Sequence, residues 1–479
     1  MLHFSLRAVP LCVDRDTHMI YLLGMDIPSY VMKLSRVLKE NGYQAWVVGG
    51  CIRDLLIGRP AEDYDIATDA RPERVMEIMK RAIPTGIKHG TVTVIINRRR
   101  VEVTTFRQDG RYSDSRHPDS VSYASTIEED LSRRDFTING IAFNPSIGKL
   151  LDPFGGMRDI NAGVIRTIGD PVERFSEDGL RPFRACRFAA QLGFTIERKT
   201  FEAIPKCLDH AAQVSVERIR EEFLRIIQSE KPSVGIELLR ISGLLKLFLP
   251  ELLEGFGIKQ NKYHRYDIYF HNLYSCDAAE PDYRIRLAAL LHDIGKYHAK
   301  REVEEKKSGT KSVFYNHEII GAGVTRKILQ RLRFSNNDIK FITHLIRNHM
   351  FHYTNQWTDG AVRRFMRKVG LENINALFEL RKADRIGNGL KSGESNSVRR
   401  LKDRIERIIE AENAITVKDL AVNGHDIMNE FNLKPGPIIG KILNALLEEI
   451  LDNPDKNNRK ALLTIANQVL TGERVKAGA

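Results

Sequence analysis

The chain has 479 residues, which is enough for roughly three or four domains. Its composition of 42% hydrophobic and 28% charged residues excludes whole-chain disorder and a collagen-like structure. The net charge of +12 favours a polyanionic partner, with nucleic acid as the first candidate, although a generic basic enzyme would share this charge. We expect no membrane partner, because no uncharged run reaches the roughly 20 apolar residues of a spanning helix.

The predicted elements change character along the chain. We interpret residues 1–25 as an N-terminal extension of unknown role. The residues that follow predict a mixed α/β region, and from about residue 170 onward the apolar spacing is almost entirely helical. The predicted helices of the first region are 26–43, 51–57 and 69–80, and its predicted strands are 45–48, 64–68, 91–96 and 101–106. Polar stretches at 107–126, 305–312 and 391–397 predict loops.

Cysteine usage indicates a reducing compartment. The five cysteines are Cys12, Cys51, Cys186, Cys207 and Cys276, and they form no CxxC pair. Because their number is odd and they are dispersed, a zinc ribbon and a disulfide framework are both disfavoured. We therefore expect reduced thiols and a cytoplasmic location.

A group of glycines and carboxylates carries the first chemical signal. Gly49 and Gly50 lie between a predicted strand and a predicted helix, where backbone N–H groups can approach a phosphate. Asp63 and Asp65 bracket one residue at the start of a strand, so both carboxylates would share one face. Hard oxygens at that spacing suit Mg²⁺. A solvated acidic turn would give the same short pattern.

Glu102 is a candidate third metal ligand. It would be an acid inside a strand of β-branched and apolar residues, where a charge is costly unless it is paired or bound to a metal. Two glycines, two acids and a remote strand acid match the needs of two-metal nucleotidyl transfer. Asp63, Asp65 and Glu102 are therefore the predicted catalytic residues.

Five ordered motifs lie between residues 49 and 223. They are GGCIRDLLIGRPAEDYDIAT, DLSRRDFTINGIAFN, DPFGGMRDI, EDGLRPFRACRF and ERIREEF. The chain resembles the class II tRNA nucleotidyltransferases, which include CCA-adding enzymes and bacterial poly(A) polymerases. The resemblance implies an α+β fold with a polymerase-β-like head and an all-helical neck, body and tail. It places the head at 26–165, the neck at 166–255, the body at 256–400 and the tail at 401–479.

The resemblance also implies which residues bind nucleotide. The motif at 130–144 would contact the sugar and triphosphate, and Asp178 with Arg181 would form a protein template that accepts CTP and ATP. On a helix these two residues would share a face, although Pro182 favours a helix that begins here. The predicted nucleotide-binding residues are Gly49, Gly50, Arg53, Asp130, Arg133, Arg134, Asn139, Asp178, Arg181, Arg184 and Arg187.

Two stretches bear on which nucleotides are added. Residues 83–91 (IPTGIKHGT) are similar to the CCA-adding type and unlike the poly(A) polymerases. The loop at 107–121 is typical of family members that add the terminal A. Addition of CCA from CTP and ATP, with Mg²⁺ and tRNA, is therefore expected, and A addition alone or poly(A) addition stays as an alternative.

A second motif lies in the helical part of the chain. His292-Asp293 follows His271 and precedes further histidines and an acid, an order that resembles the HD metal-dependent phosphohydrolases. Imidazole and carboxylate ligands on helices suit a divalent transition metal. The predicted ligands are His271, His292, Asp293, His317, His349 and Asp384. An HD phosphohydrolase whose head only binds RNA is the alternative from a different class.

Basic clusters recur along the chain and predict an extended RNA-binding track. They lie at 98–100, 363–364, 367–368 and 399–400. Phosphate contacts from such residues supply affinity without reading sequence. Any single cluster could also be a solvated helix face.

Overall fold

A computed structural model describes residues 11–14, 19–22, 25–87, 90–109, 121–260, 264–305, 309–411 and 416–472. The chain divides into two compact units, residues 1–250 and 251–479. No helix in the described part of the chain is long and apolar enough to cross a membrane. Four thiols, at Cys51, Cys186, Cys207 and Cys276, are buried and free.

The first unit is built on a mixed nine-stranded sheet of order β1-β2-β11-β10-β3-β4-β7-β6-β5. In this sheet β4 and β7 are parallel, whereas β3 runs antiparallel to β4. Its strands, together with two short pairs outside it, are β1 (Leu11–Asp14), β2 (Met19–Leu22), β3 (Trp46–Val48), β4 (Asp65–Thr68), β5 (Ala82–Gly86), β6 (Thr91–Ile96), β7 (Arg99–Thr105), β8 (Arg107–Asp109), β9 (Val121–Tyr123), β10 (Ala142–Asn144), β11 (Lys149–Leu151), β12 (Val164–Ile165) and β13 (Thr195–Ile196).

Local sequence accounts for the central strands. The apolar residues of β3 are all buried, as a strand covered on both faces requires. β6 and β7 form a hairpin in which Asn97 and Arg98 both have positive φ, the backbone that matches the twist of a two-residue hairpin loop. The sheet predicted from strands at 45–48, 64–68, 91–96 and 101–106 is therefore confirmed, with ends shifted by one or two residues.

Helices flank the sheet and then take over the chain. Pro72 lies in the first turn of α3, as predicted, because its missing N–H leaves no helical bond unmade. The helices of the first unit are α1 (Ser29–Glu40), α2 (Gly50–Leu56), α3 (Pro72–Ile78), α4 (Ile127–Ser132), α5 (Gly156–Ala162), α6 (Pro171–Glu177), α7 (Arg181–Leu192), α8 (Arg198–Ala203), α9 (Leu208–Ala212), α10 (Val216–Ile227), α11 (Pro232–Ile241) and α12 (Leu245–Phe248), and α13 (Pro250–Leu253) spans the division between the units. A mixed α/β head followed by helices confirms the predicted fold class.

In its described residues the second unit is helical, apart from one antiparallel pair of strands. A loop was expected at 305–312, but residue 305 and residues 309–312 lie in these paired strands, so the prediction was wrong for them, and 306–308 lie outside the described residues. The elements of this unit are α14 (Ile268–Ala278), α15 (Tyr283–Leu291), α16 (Lys296–Ala299), β14 (Lys300–Glu305), β15 (Gly309–Phe314), α17 (His317–Arg331), α18 (Asn336–Asn348), α19 (Asp359–Val369), α20 (Leu371–Gly387), α21 (Asn396–Glu410), α22 (Gly424–Glu430), α23 (Pro437–Asp452) and α24 (Arg459–Thr471).

The basic residues of α19 contact the last helices rather than solvent alone. The Arg364 guanidinium lies 3.0 Å from Glu448 and 2.5 Å from Asp452, and Arg367 lies 2.7 Å from Glu448. Helix α23 therefore supplies acidic partners for two of the arginines expected in the RNA track. The contact of Arg364 and Arg367 with RNA stays a prediction, and within the chain their charges are paired.

Candidate active site

A cavity of about 1160 Å³ in the first unit gathers most of the predicted nucleotide-binding and catalytic residues. The predicted residues that line it are Gly49, Gly50, Arg53, Asp63, Asp65, Arg133, Arg134, Asn139, Asp178, Arg181, Arg184 and Arg187. Asp130 and Glu102 lie outside its lining. The spatial grouping follows from the fold, whereas the role of each residue stays a prediction.

Gly49 and Gly50 connect the end of β3 to the start of α2. Gly49 has φ +83°, and a Cβ there would lie 3.2 Å from Nη1 of Arg134 and 3.8 Å from Oδ2 of Asp65. Backbone conformation and close neighbours therefore both favour glycine. The N–H groups at the start of α2 border the same cavity as Asp65.

The carboxylates are arranged around the first residue of β4. Asp65 is half-buried and pairs in register with Glu102 of the parallel strand β7. Burial is the largest cause that raises the pKa of Asp65 to about 6. The carboxylates of Glu102 and Asp63 raise this pKa further, whereas the charge of Arg134 lowers it. A cation beside Asp65 would relieve the repulsion, so these residues fit a hard divalent metal such as Mg²⁺.

Two expectations about these acids need correction. Asp63 precedes β4 instead of lying in it, so the two aspartates do not share a strand face by alternation. Glu102 is exposed, so burial does not force it to find a partner. Glu102 remains a candidate metal ligand only because it lies opposite Asp65 on the neighbouring strand. In the described chain, the clusters of three ligand residues with ligand atoms all within 4.8 Å of one another lie in the second unit, so the atoms of Asp63, Asp65 and Glu102 are spaced more widely.

Asp130 orients the two arginines of its motif. Its buried carboxylate accepts hydrogen bonds from Arg133 at 2.8 Å and Arg134 at 3.2 Å. Burial alone would raise the pKa of Asp130, but Arg134 and Arg133 lower it below the ordinary value. The expected contact of Asp130 with ribose is not supported by this position, because the carboxylate faces the arginines from outside the cavity lining.

Asp135 was not predicted as a site residue, yet it links two of those that were. Its Oδ2 accepts from Nε of Arg184 at 2.7 Å, and its Oδ1 accepts from the amide of Asn139 at 3.0 Å. The Asn139 carbonyl in turn accepts from Arg53 at 2.8 Å. The sequence did contain a sign of this role, because a buried carboxylate at Asp135 requires a basic partner.

Asp178 and Arg181 border the cavity on either side of the turn between α6 and α7. Asp178 follows the last residue of α6 in extended conformation, and Arg181 is the first residue of α7. The two residues therefore share no helix face, and the other arrangement that the sequence left open, a helix that begins at this motif, is the one found. Pro182 explains this, because proline is tolerated in the first turn of a helix and disfavours α geometry before it.

The partners of these two side chains hold them in place. Asp178 accepts from Arg218 at 3.0 Å. Arg181 donates to the carbonyl oxygens of Arg174 at 2.8 Å and Arg133 at 3.2 Å, and also pairs with Glu177. Both side chains are thus pre-positioned at the cavity by neighbouring groups.

Arginines surround one aromatic ring beside the cavity. The guanidinium carbons of Arg187, Arg53 and Arg184 lie 3.8, 4.9 and 5.4 Å from the ring centroid of Phe188. Arg187 also pairs with buried Glu222. Such cation–π contacts stabilise a concentration of positive charge that a triphosphate would neutralise.

The second unit brings all six predicted HD residues together. Nε2 of His271 lies 3.1 Å from Nε2 of His292 and 3.3 Å from the carboxylates of both Asp293 and Asp384. Two ligand groups result, one of His271, His292 and Asp293 and one of Asp293, His317 and His349. The carboxylate of Asp293 is shared by both groups.

The chemistry of these side chains fits metal binding. Nδ1 of His292, His317 and His349 lies 2.6 to 2.8 Å from the carbonyl oxygen three residues earlier, which leaves Nε2 as the ligand atom. In all three residues Nε2 lies 3.2 to 3.9 Å from the carboxylate of Asp293. Burial and the charge of His292 lower the pKa of His349 to about 3, so its imidazole is in the neutral, ligating form.

Two predicted segments fall partly outside the described residues. Residues 110–120 of the loop expected at 107–121 are outside them, and so are 88–89 of the stretch 83–91. Their predicted role in terminal A addition therefore stays a prediction.

Comparisons with known proteins agree with the motifs. Family models match for the poly(A) polymerase head domain at residues 45–166, for the RNA- and SrmB-binding site of polymerase A at 193–255, and for domain 2 of tRNA nucleotidyltransferase at 317–466. The crystal structure of the Bacillus stearothermophilus CCA-adding enzyme in complex with CTP is 28% identical, with a TM-score of 0.70 over 93% of this chain and 98% of that one.

Curated relatives match along nearly their whole length. The CCA-adding enzyme of Lactiplantibacillus plantarum is 31% identical over 436 residues, which are 90% of this chain and 94% of the relative. That of Anoxybacillus flavithermus is 33% identical over 432 residues, with 90% and 94% coverage. At this identity and coverage, the chain belongs to the CCA-adding enzyme family.

Proposed function

We propose that this protein adds C, C and A in turn to the 3′ end of tRNA from CTP and ATP. The observation that carries the proposal is the single cavity that joins the glycine turn, Asp63 and Asp65, the motif arginines, and Asp178 with Arg181. Relatives named CCA-adding enzymes share this sequence over about nine-tenths of the chain.

The reaction joins the tRNA 3′ oxygen to the α-phosphorus of the nucleotide. That bond forms as the bond from the α-phosphorus to the pyrophosphate oxygen breaks, and the 3′ hydroxyl loses its proton. Asp63 and Asp65 would hold Mg²⁺, which would neutralise charge on the phosphates and the leaving pyrophosphate. Glu102 stays a proposed third acid because of its position opposite Asp65.

The arginines would bind the triphosphate. Arg133 and Arg134 are fixed by Asp130, and Arg184 is fixed by Asp135, so their planar donors are pre-organised before nucleotide binds. Because folding already orders these side chains, nucleotide binding loses less conformational entropy and is tighter.

Asp178 and Arg181 would read the base. A carboxylate accepts from an exocyclic amine, and a guanidinium donates to ring and carbonyl acceptors, a pattern that cytosine and adenine can satisfy. Because Arg218 and Glu177 already contact these side chains, selection would combine the two residues with their partners.

The alternatives are disfavoured. A-only or poly(A) addition is the nearest one, but the curated relatives at 31% and 33% identity are named CCA-adding enzymes.

The test uses tRNA primers ending before CCA, after C and after CC. We expect CTP incorporation on the first two and one ATP on the third. Repeated ATP incorporation on the first primer would support a poly(A) polymerase instead.

We also propose a metal-dependent phosphohydrolase function for the HD cluster. The convergence of six predicted ligands around shared Asp293 supports it. Histidine and carboxylate ligands suit a transition metal such as Mn²⁺, Co²⁺ or Ni²⁺, which would polarise a phosphate ester for attack by water. The test is release of inorganic phosphate from phosphomonoesters after loading with each metal. Absence of hydrolysis with every metal would contradict this function.

The proposed function also assigns a role to each helical region and a cellular location. The neck would span 166–255, the body with the HD site 256–400, and the tail 401–479 would contact tRNA. We propose a cytoplasmic location, which the free thiols and a tRNA substrate support.

A further inference from the structure

A second cavity, of about 640 Å³, opens beside the HD cluster. Asp293, His317, His349 and Asp384 contribute to its lining, and a wall of mainly basic and polar residues continues away from them. The wall also contains Glu394, whose charge is paired with Lys402. The inference below rests on the proposed phosphohydrolase function and concerns which phosphate esters this cavity selects.

Three of the lysines and arginines on the wall are neutralised by neighbouring carboxylates. Lys296 lies 2.5 Å from Asp293, and Arg381 lies 2.7 Å from the metal-ligand candidate Asp384. Lys382 lies 3.0 Å from Glu379. These cations have their counter-charge within the protein and do not require one from a ligand.

Arg385 differs from them. It follows Asp384 on α20, is half-buried and lines the cavity. Its buried Nε has no hydrogen-bond partner, and no carboxylate in the described part of the chain lies within ion-pair distance of its guanidinium. An anion in the cavity would supply the counter-charge that this half-buried guanidinium lacks within the described part of the chain.

Two further features lie on the same wall. Asn388 is only 7% exposed and its side-chain oxygen has no hydrogen-bond partner, but this oxygen is an acceptor and suits a hydroxyl of the ligand rather than a phosphate. Ser395, which caps the first turn of the 15-residue helix α21, also lines the cavity. The positive end of that helix therefore adds to the potential that Arg385 creates.

We propose that this cavity binds phosphate esters that carry a second phosphate group, and that Arg385 is the residue that selects them. One phosphate would lie at the HD cluster. There water adds to phosphorus, the ester P–O bond breaks, the departing alcohol oxygen takes a proton, and inorganic phosphate is released. The second phosphate is not cleaved, and the planar donors of Arg385 bind it.

Two sources offer this chemistry. A free nucleoside bisphosphate carries both groups, and an RNA strand with a terminal 3′ phosphate supplies the second anion from its last phosphodiester. The experiment compares adenosine 3′,5′-bisphosphate and a dinucleotide ending in a 3′ phosphate with adenosine 3′-monophosphate. Full-length Mn²⁺-loaded enzyme is assayed for both binding and phosphate release.

The variants are Arg385→Gln and Arg385→Lys, with Lys382→Gln as a matched control on the same wall whose charge is paired with Glu379. Charge-assisted hydrogen bonds predict that Arg385→Gln weakens binding of the doubly phosphorylated ligands by roughly 10- to 100-fold and raises KM similarly. The monophosphate should change less than about threefold, and Arg385→Lys should recover part of the loss. The control should match wild type.

The outcomes separate this inference from the function on which it rests. Equal losses for all three ligands, or no preference in wild type, would overturn the selection by Arg385 while leaving the hydrolase function intact. If no ester is hydrolysed, the hydrolase function fails, and the binding measurements still decide the inference. The doubly phosphorylated ligand that binds more tightly identifies the source, a free nucleotide or an RNA end.

Discussion

Asp135 accepts a hydrogen bond from Nε of Arg184 at 2.7 Å and thereby joins the motif after α4 to helix α7. Burial would raise the pKa of Asp135, but Arg184 and Asn139 lower it well below the ordinary value. The carboxylate therefore stays ionised and fixes an arginine that borders the nucleotide cavity.

Replacing Asp135 with Asn should reduce kcat/KM for both CTP and ATP by roughly 10- to 100-fold, because Arg184 loses its charged acceptor. Unfolding free energy should fall by about 1.5–3 kcal/mol. Since the folded-state pKa is depressed, this difference should be complete above roughly pH 4 and shrink as pH falls further. Denaturant titration at several pH values measures it.

A double-mutant cycle with Arg184→Gln supplies the control. Coupling above about 0.5 kcal/mol is expected for residues in direct contact. Additive effects would show that Asp135 acts through other neighbours.

Replacing Asp63 or Asp65 with Ala should abolish nucleotide incorporation while leaving tRNA affinity nearly unchanged. The reason is that these acids would hold Mg²⁺ at the reacting phosphate, whereas tRNA affinity arises mainly from phosphate contacts. Incorporation at saturating Mg²⁺ and tRNA binding by filter retention give the two measurements. Glu73→Ala is the control, because Glu73 is exposed on α3 and does not line the cavity. Retained incorporation in either variant would remove the carboxylates from the proposed mechanism.

Replacing Arg181 with Ala should relax base choice more than it slows addition of the correct nucleotide. A good bidentate base contact gives about 1–3 kcal/mol of discrimination, so preference for CTP over UTP should fall roughly 5- to 150-fold. Single-nucleotide incorporation with each triphosphate measures this ratio. Arg198→Ala is the control, because Arg198 pairs with Glu202 on an exposed helix face. Unchanged selectivity would assign Arg181 a structural role through Glu177 instead.

Replacing His292 and Asp293 with Ala should remove metal-dependent phosphatase activity and leave CCA addition within about twofold of wild type. The two sets of residues line separate cavities in separate units. Metal content by atomic emission should fall together with phosphatase activity. If a folded variant also loses CCA addition, the two functions depend on each other.

Sequence patterns sufficed where a residue's role follows from its local neighbours. Gly49 was predicted at a strand-to-helix turn, and its positive φ agrees with that position. The HD ligands could be grouped because their order along the chain resembles that of the HD phosphohydrolases. His271 and Asp384 are far apart in sequence, yet their ligand atoms lie 3.3 Å apart.

The errors arose where tertiary contacts decide. The apolar and β-branched neighbours of Glu102 made it look buried, but it lies on the opposite face of β7 from Val101 and Val103 and is exposed. Helical spacing would place Asp178 and Arg181 on one face, but α6 ends before Asp178 and α7 begins at Arg181, with Pro182 in its first turn. The pairing of Arg364 with Glu448 joins residues 84 positions apart, and no local pattern indicates such a contact.

CCA addition itself is tested with tRNA that ends at the nucleotide before CCA. This tRNA is incubated with all four nucleoside triphosphates and Mg²⁺, and the 3′ ends are sequenced. We predict that products gain three nucleotides with the sequence CCA and then stop. A poly(A) tail, addition of A without C, or incorporation of U or G at a comparable rate would contradict the account.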